Sequence, residues 1–128
     1  DLRRLPSDAV FVEPARFMAQ AAAKAGQPAY HYSFAYVAEG LRTSLRGARH
    51  ASEIPYVFNN PDVIPGATDA DRRVAATMSA AWACFAKTGD PGWAPYTPDS
   101  RATMVFDTES RVVADAAGVE REVWAGRW

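Results

Sequence analysis

Apolar positions near the start of the chain fall at Phe11, Ala15, Met18 and Ala22, spacings that put them on one face of a helix. Ser7 and Asp8 open this pattern. Pro14 is tolerated only in a first turn, so the helix begins near Glu13 or bends there. Gly26 ends it and Pro28 prevents its return. The alanine-rich run over 19–25 gives this helix a slim face suited to close packing on a sheet. Residues 29–34 then switch to a period of two. Tyr30, Tyr32 and Phe34 share one face, and Ala29, His31 and Ser33 share the other, which predicts a strand. A long connection rich in glycine and arginine runs over 37–50. Residues 53–58 form a short apolar anchor. It could be a strand or a helical turn, and Pro55 argues against a central strand. Breakers Pro61, Pro65 and Gly66 make 59–68 a second loop.

The strongest helix follows. Thr68 is its N-cap, Asp69 and Asp71 sit at the positive end of its dipole, and Val74, Met78, Trp82 and Phe85 line one face. Gly89 stops it, with Pro91 behind. Two short strands are expected at 103–106 and 112–113, and 119–128 fits either strand or helix. Helix, strand, loop, helix and short strands suit an α/β layer in which the first strand joins a mainly parallel sheet. There is no internal repeat and no low-complexity linker.

Composition narrows the function classes. An apolar fraction of 48% and a charged fraction of 23% are those of an ordinary soluble globular chain, and 128 residues suffice for one small domain. A net charge of −1 offers no electrostatic case for nucleic acid or an anionic membrane as partner. No apolar run reaches transmembrane length. No signal-peptide pattern opens the chain and localisation is left unassigned; the start at Asp1 suits a processed or cut chain. The single cysteine, Cys84, has no metal-ligand spacing around it and lies in a helical apolar pattern, which favours a buried thiol. Four Trp, five Tyr and six Phe carry more apolar surface than these residues alone can enclose.

The candidate chemistry centres on Gly47-Ala48-Arg49-His50-Ala51-Ser52-Glu53-Ile54-Pro55-Tyr56-Val57-Phe58. An imidazole in a turn-like run of small residues, followed by an apolar anchor, is where a general base is held beside a rigid scaffold. Taken alone, these residues favour a surface histidine in a Gly/Arg-rich loop. The run from His50 to Phe58 closely resembles the histidine loop of the type-B carboxylesterases, the serine esterase family that includes the cholinesterases. That family more often has glycine where Ala51 stands, a mild departure unless the backbone there needs a positive φ. Three further segments are similar to the family's and follow its order. Residues 28–34 resemble its late core strand, 85–92 its helix-ending signature, and 93–96 with 104–107 its closing segment. The resemblance covers about residues 8–128.

The resemblance implies an α/β fold, with residues 1–128 a single segment forming the C-terminal portion of an α/β-hydrolase catalytic domain: late core strand, histidine loop, C-terminal helix and short terminal strands. It implies a serine carboxylesterase in which His50 is the catalytic histidine and Glu53 a supporting group, held by backbone amides of the loop. It assigns the triad acid upstream, so Glu53 is not that acid. None of the seven serines is flanked as Gly-x-Ser-x-Gly, and no HGGG-type run is present. Nucleophile and acid are therefore expected upstream and absent here, and the segment alone is expected to be inactive. The implied partners are a small-molecule carboxylic ester and the remainder of the esterase domain, with no metal, organic cofactor, nucleic acid or membrane. His31 is expected to be a half-buried histidine bonded to a neighbour, and Ser52 too poorly placed for a nucleophile. Arg42, Arg46 and Arg49 could bind an anionic substrate, although a solvated loop is the commoner meaning of such a cluster, and Tyr56 and Phe58 are core or pocket residues. The competing expectation is a catalytically inert hydrolase-like binding or structural module. A split enzyme, with another chain supplying serine and acid, is a third.

Overall fold

The computed structural model describes residues 5–127. In order along the chain these form α1 (Leu5–Ser7), a π-helical segment (Asp8–Val12), α2 (Glu13–Lys24), β1 (His31–Phe34), α3 (Ile54–Val57), α4 (Asp69–Thr88), β2 (Ala102–Phe106), β3 (Arg111–Ala114) and α5 (Gly118–Trp124). Two 3₁₀ turns, Glu39–Leu41 and Pro61–Val63, punctuate the loops. The strands form one three-stranded sheet in the order β1-β2-β3. The chain divides into two compact units, one of residues 1–31, 94–103 and 113–128, the other of 32–93 and 104–112.

In the first unit the helix starts earlier than Pro14 suggests. The Glu13 amide reaches back five residues to the Asp8 carbonyl, and this widened turn directly precedes the proline, which has no amide to pair. The other end closes as the sequence requires. Gly26 adopts φ +74°, its amide bonds the Ala23 carbonyl and the Gln27 amide bonds that of Ala22, which is a Schellman motif. The expected apolar face, however, is not the buried one. Glu13, Arg16 and Ala19 are buried, whereas Phe11 is 44% and Met18 67% exposed. The reason is a buried ion pair. Arg16 Nη1 donates to Glu13 Oε1 at 2.6 Å, and its Nη2 donates to the Ala116 carbonyl. The turn at Asp115 is in turn held by Arg121, which forms two 3.0 Å bonds to the Asp115 carboxylate. Within 119–128, which fits either strand or helix by sequence, the chain is helical as far as Trp124.

The second unit holds the aromatic core: Tyr36, Tyr56, Val74, Ala75, Met78 and Phe106, with Tyr32, Phe34 and Trp93 packed against it. Tyr32 and Phe34 come from one face of β1, as the alternation predicts. Pairing of β1 with β2 is parallel at this end, since the Ala35 and Tyr36 amides both reach the Phe106 carbonyl, each just past or at a strand's C-terminal end. A parallel pair needs a crossover, and α4 lies within it. Helix α4 begins in a capping box. The Thr68 hydroxyl accepts from the Asp71 amide, and Asp71 Oδ2 accepts from the Thr68 amide at 2.8 Å. It ends at Gly89, φ +78°. Its inner face buries Val74 and Met78, but Trp82 and Phe85 are 42% and 48% exposed. Cys84, expected to be buried, is exposed one turn before Thr88.

Candidate active site

The segment that the sequence singles out is built as a turn followed by a single helical turn. The Ser52 amide donates to the Arg49 carbonyl at 3.1 Å, and the Ser52 hydroxyl donates to the same oxygen at 2.7 Å. This closes a β-turn whose two central residues are His50 and Ala51. Ala51 has φ +65° while His50 is not in the left-handed region, which is the type II pattern. The third position of that turn favours glycine, so Ala51 adopts a backbone that its methyl group disfavours. His50 is exposed at the crest.

Residues 54–57 settle into α3, with Pro55 in the first turn, where its missing amide costs nothing. The Glu53 carbonyl accepts from the Tyr56 amide at 2.9 Å and the Val57 amide at 3.0 Å. Glu53 is half-buried, and among the described residues its carboxylate accepts no hydrogen bond from a loop amide. The expected carboxylate-to-amide bonds are thus replaced by main-chain bonds. Its charge acts on Tyr32, whose hydroxyl pKa is raised first by burial and then by Glu53.

Tyr56 is the one buried residue of α3. Its hydroxyl donates to Asp71 Oδ1 at 3.0 Å, and Thr68 Oγ1 donates to Asp71 Oδ2 at 2.8 Å. Asp71 is fully buried. Burial alone pushes its carboxyl up, but the Thr68 amide, the Thr68 hydroxyl and the Tyr56 hydroxyl outweigh that and hold it below the usual carboxylate range. Burial, with Asp71 beside it, pushes the Tyr36 hydroxyl up to about 12 and drives that of Tyr56 in the same direction. Sequence patterning marked Asp71 only as favourable to the helix dipole. Its contact with Tyr56, fifteen positions away, has no local signal.

Between the histidine turn and the core lies a cavity of about 330 Å³. Its walls are Phe34, Tyr36, Leu41, Leu45, Tyr56 and Ile64, and Arg49, Ala51 and Ser52 close it from the turn. Arg42, Arg46 and Arg49 are exposed; Arg42 lies over the Tyr36 ring at 5.4 Å and bonds the Val37 carbonyl. In the other unit His31 is half-buried, as expected, with Nδ1 3.1 Å from Thr103 Oγ1. That hydroxyl donates to the Arg101 carbonyl, so it accepts from His31, and the neutral imidazole carries its proton on Nδ1. No helix among the described residues is long and apolar enough to cross a membrane.

A small mixed sheet, a crossover helix and a histidine turn leading into an aromatic core make this a portion of an α/β-hydrolase fold. The chain belongs to the carboxylesterase family, whose model matches residues 1–124. It is 33% identical to para-nitrobenzyl esterase of Bacillus subtilis (strain 168) over 59% of this chain and 17% of that protein. It is 36% identical to Homo sapiens Neuroligin-3 over 66% of this chain and 11% of that protein. Among solved structures, the crystal structure of Geobacillus stearothermophilus carboxylesterase EST55 at pH 6.2 superposes with a TM-score of 0.79 at 35% identity, covering 94% of this chain and 27% of that one. The chain thus spans about a quarter or less of the lengths of these relatives.

Proposed function

We propose that residues 1–128 are the C-terminal segment of a serine carboxylesterase domain and that His50 is the general base of its ester hydrolysis. The observation that carries this is the turn itself. In a chain of the carboxylesterase family, an exposed imidazole stands at the crest of a hydrogen-bonded turn beside an apolar cavity. A serine contributed by the rest of the domain attacks the ester carbonyl as its hydroxyl proton passes to His50. The tetrahedral oxyanion collapses, and His50 returns the proton to the departing alcohol. Water, deprotonated by His50, then cleaves the acyl-enzyme in the same manner. Glu53 supports the turn through its carbonyl on α3. The partners are a carboxylic ester with an apolar group sized for the cavity, and the remainder of the esterase domain. No step calls for a metal or organic cofactor. The segment by itself, lacking the serine elbow, is inactive.

The test uses the whole protein. It should hydrolyse p-nitrophenyl esters and be labelled at a serine outside this chain by a fluorophosphonate. His50→Ala should abolish turnover, a loss on the order of 10⁴-fold or more, while leaving the circular dichroism spectrum intact. Survival of turnover in that variant overturns the assignment of the base. Absence of any phosphonate-reactive serine in the whole protein overturns the esterase reading and favours the inert module.

A further inference from the structure

We infer that Asp71 is a positioning residue for His50, acting through Tyr56. This rests on His50 being the general base. An apolar cavity lies under the histidine turn: Arg49, Ala51 and Ser52 line its near side. The turn is held at its downstream end. An unbroken run of hydrogen bonds leads there: Ser52 to the Arg49 carbonyl, the Ile54 amide to the Ala51 carbonyl, and the Tyr56 and Val57 amides to the Glu53 carbonyl. That run stops at α3, four residues long and too short to hold its own shape. The anchor of α3 is its one buried side chain, Tyr56.

Asp71 divides its two oxygens between two tasks. Oδ2 takes both Thr68 groups and completes the cap of α4. Oδ1 takes the Tyr56 hydroxyl at 3.0 Å, a bond that capping does not require. A carboxylate that only capped α4 could sit in water, whereas this one is fully buried among aromatic rings, with Tyr36 and Tyr56 edge to face at 5.6 Å. The twenty-residue α4 packs against Tyr56 through Val74, Ala75 and Met78, and Asp71 adds the one hydrogen bond by which it orients that side chain. Misplacing a general base by a fraction of an ångström costs rate and changes the surroundings of its imidazole, with little effect on substrate binding.

Tyr56→Phe removes the hydroxyl bond and leaves the cap intact; Asp71→Asn removes the charge at nearly constant volume. Gly89→Ala is the structural control. It strains the far end of the same helix at φ +78°, where the added methyl meets no atom within 4 Å. All are measured in the whole protein with p-nitrophenyl acetate, active sites being counted by phosphonate titration. Tyr56→Phe and Asp71→Asn should each lower kcat about tenfold or more at a KM changed less than about twofold, and displace the pH midpoint of kcat/KM. Gly89→Ala should lower the melting temperature while keeping kcat and that midpoint. If the two network variants match Gly89→Ala in kcat and pH midpoint per active site, Asp71 has no positioning role. If His50→Ala retains turnover, the base assignment fails and this inference with it. If His50→Ala is dead while Tyr56→Phe behaves as the parent, only the positioning role fails.

Discussion

Ser52 bonds the Arg49 carbonyl twice, through its amide at 3.1 Å and its hydroxyl at 2.7 Å, and the turn this closes forces Ala51 to φ +65°. A left-handed alanine is strained by roughly 1–2 kcal/mol relative to a right-handed one. Glycine removes that strain but gives the unfolded chain about 0.4–1 kcal/mol of extra freedom. Ala51→Gly should therefore stabilise by up to about 1.6 kcal/mol, and Ala51→Val should destabilise, because branching at Cβ worsens the same clash. Urea denaturation of the three proteins checks this. A midpoint for Ala51→Gly clearly below the parent's would mean the turn is not held in the left-handed conformation.

Glu53 separates main-chain from side-chain support. Its carbonyl holds α3 whatever the side chain, and among the described residues its carboxylate accepts no loop amide. Glu53→Gln should leave stability within about 0.5 kcal/mol of the parent. In the whole protein its kcat shows whether the carboxylate adds to the support that the carbonyl gives. A carboxylate that takes part in holding His50 should lower kcat about tenfold on its loss, about 1.4 kcal/mol. Unchanged kcat at unchanged stability would limit Glu53 to its carbonyl.

His31 makes stability depend on pH. Burial, aided by the charge of Arg16, lowers its pKa from 6.5 to about 4. Below pH 6.5 the unfolded chain takes up a proton that the folded one refuses until about pH 4. Stability is therefore complete above that window, falls as pH drops through it, and levels off below. The span corresponds to at most about 3.5 kcal/mol. His31→Gln keeps a donor for Thr103 and has no proton to gain, so its denaturation midpoint should fall less between pH 7 and pH 4.5 than the parent's. Parallel curves would show that His31 takes up its proton equally in both states.

Local chemistry made much of the fold legible. Thr68 announced the N-cap of α4, though not the reciprocal bond from Asp71 that completes a capping box, and Gly26 and Gly89 announced helix ends that the structure closes at left-handed φ. Alternation in residues 29–34 gave β1 and its core face, and Pro55 excluded a central strand where α3 stands. Periodicity misled at Phe11, Met18 and Cys84 for one physical reason. It reports which helix face is apolar, not what that face meets. The Glu13–Arg16 pair holds the opposite face of α2 and leaves Phe11 and Met18 on the exposed side. At the candidate site, His50 and Glu53 were legible as neighbours on one loop. The bond from Tyr56 to Asp71 joins elements that meet only through folding, so no spacing could mark it.

The first unit exposes Val10, Phe11, Phe17 and Met18, at 61%, 44%, 54% and 67%, within one helical stretch. Large apolar side chains gathered in this way favour association when nothing covers them. The 128-residue chain prepared alone should therefore associate with itself as its concentration rises, as read by sedimentation velocity. Replacing both Phe17 and Met18 by Glu puts two like charges on the patch and should return the chain to a single slow species. The substitutions touch none of the buried residues Glu13, Arg16 and Ala19, so the helical circular dichroism signal should persist. If the double variant associates as strongly as the parent, the contact lies elsewhere, with the exposed Trp82 and Phe85 of α4 the next surface to charge.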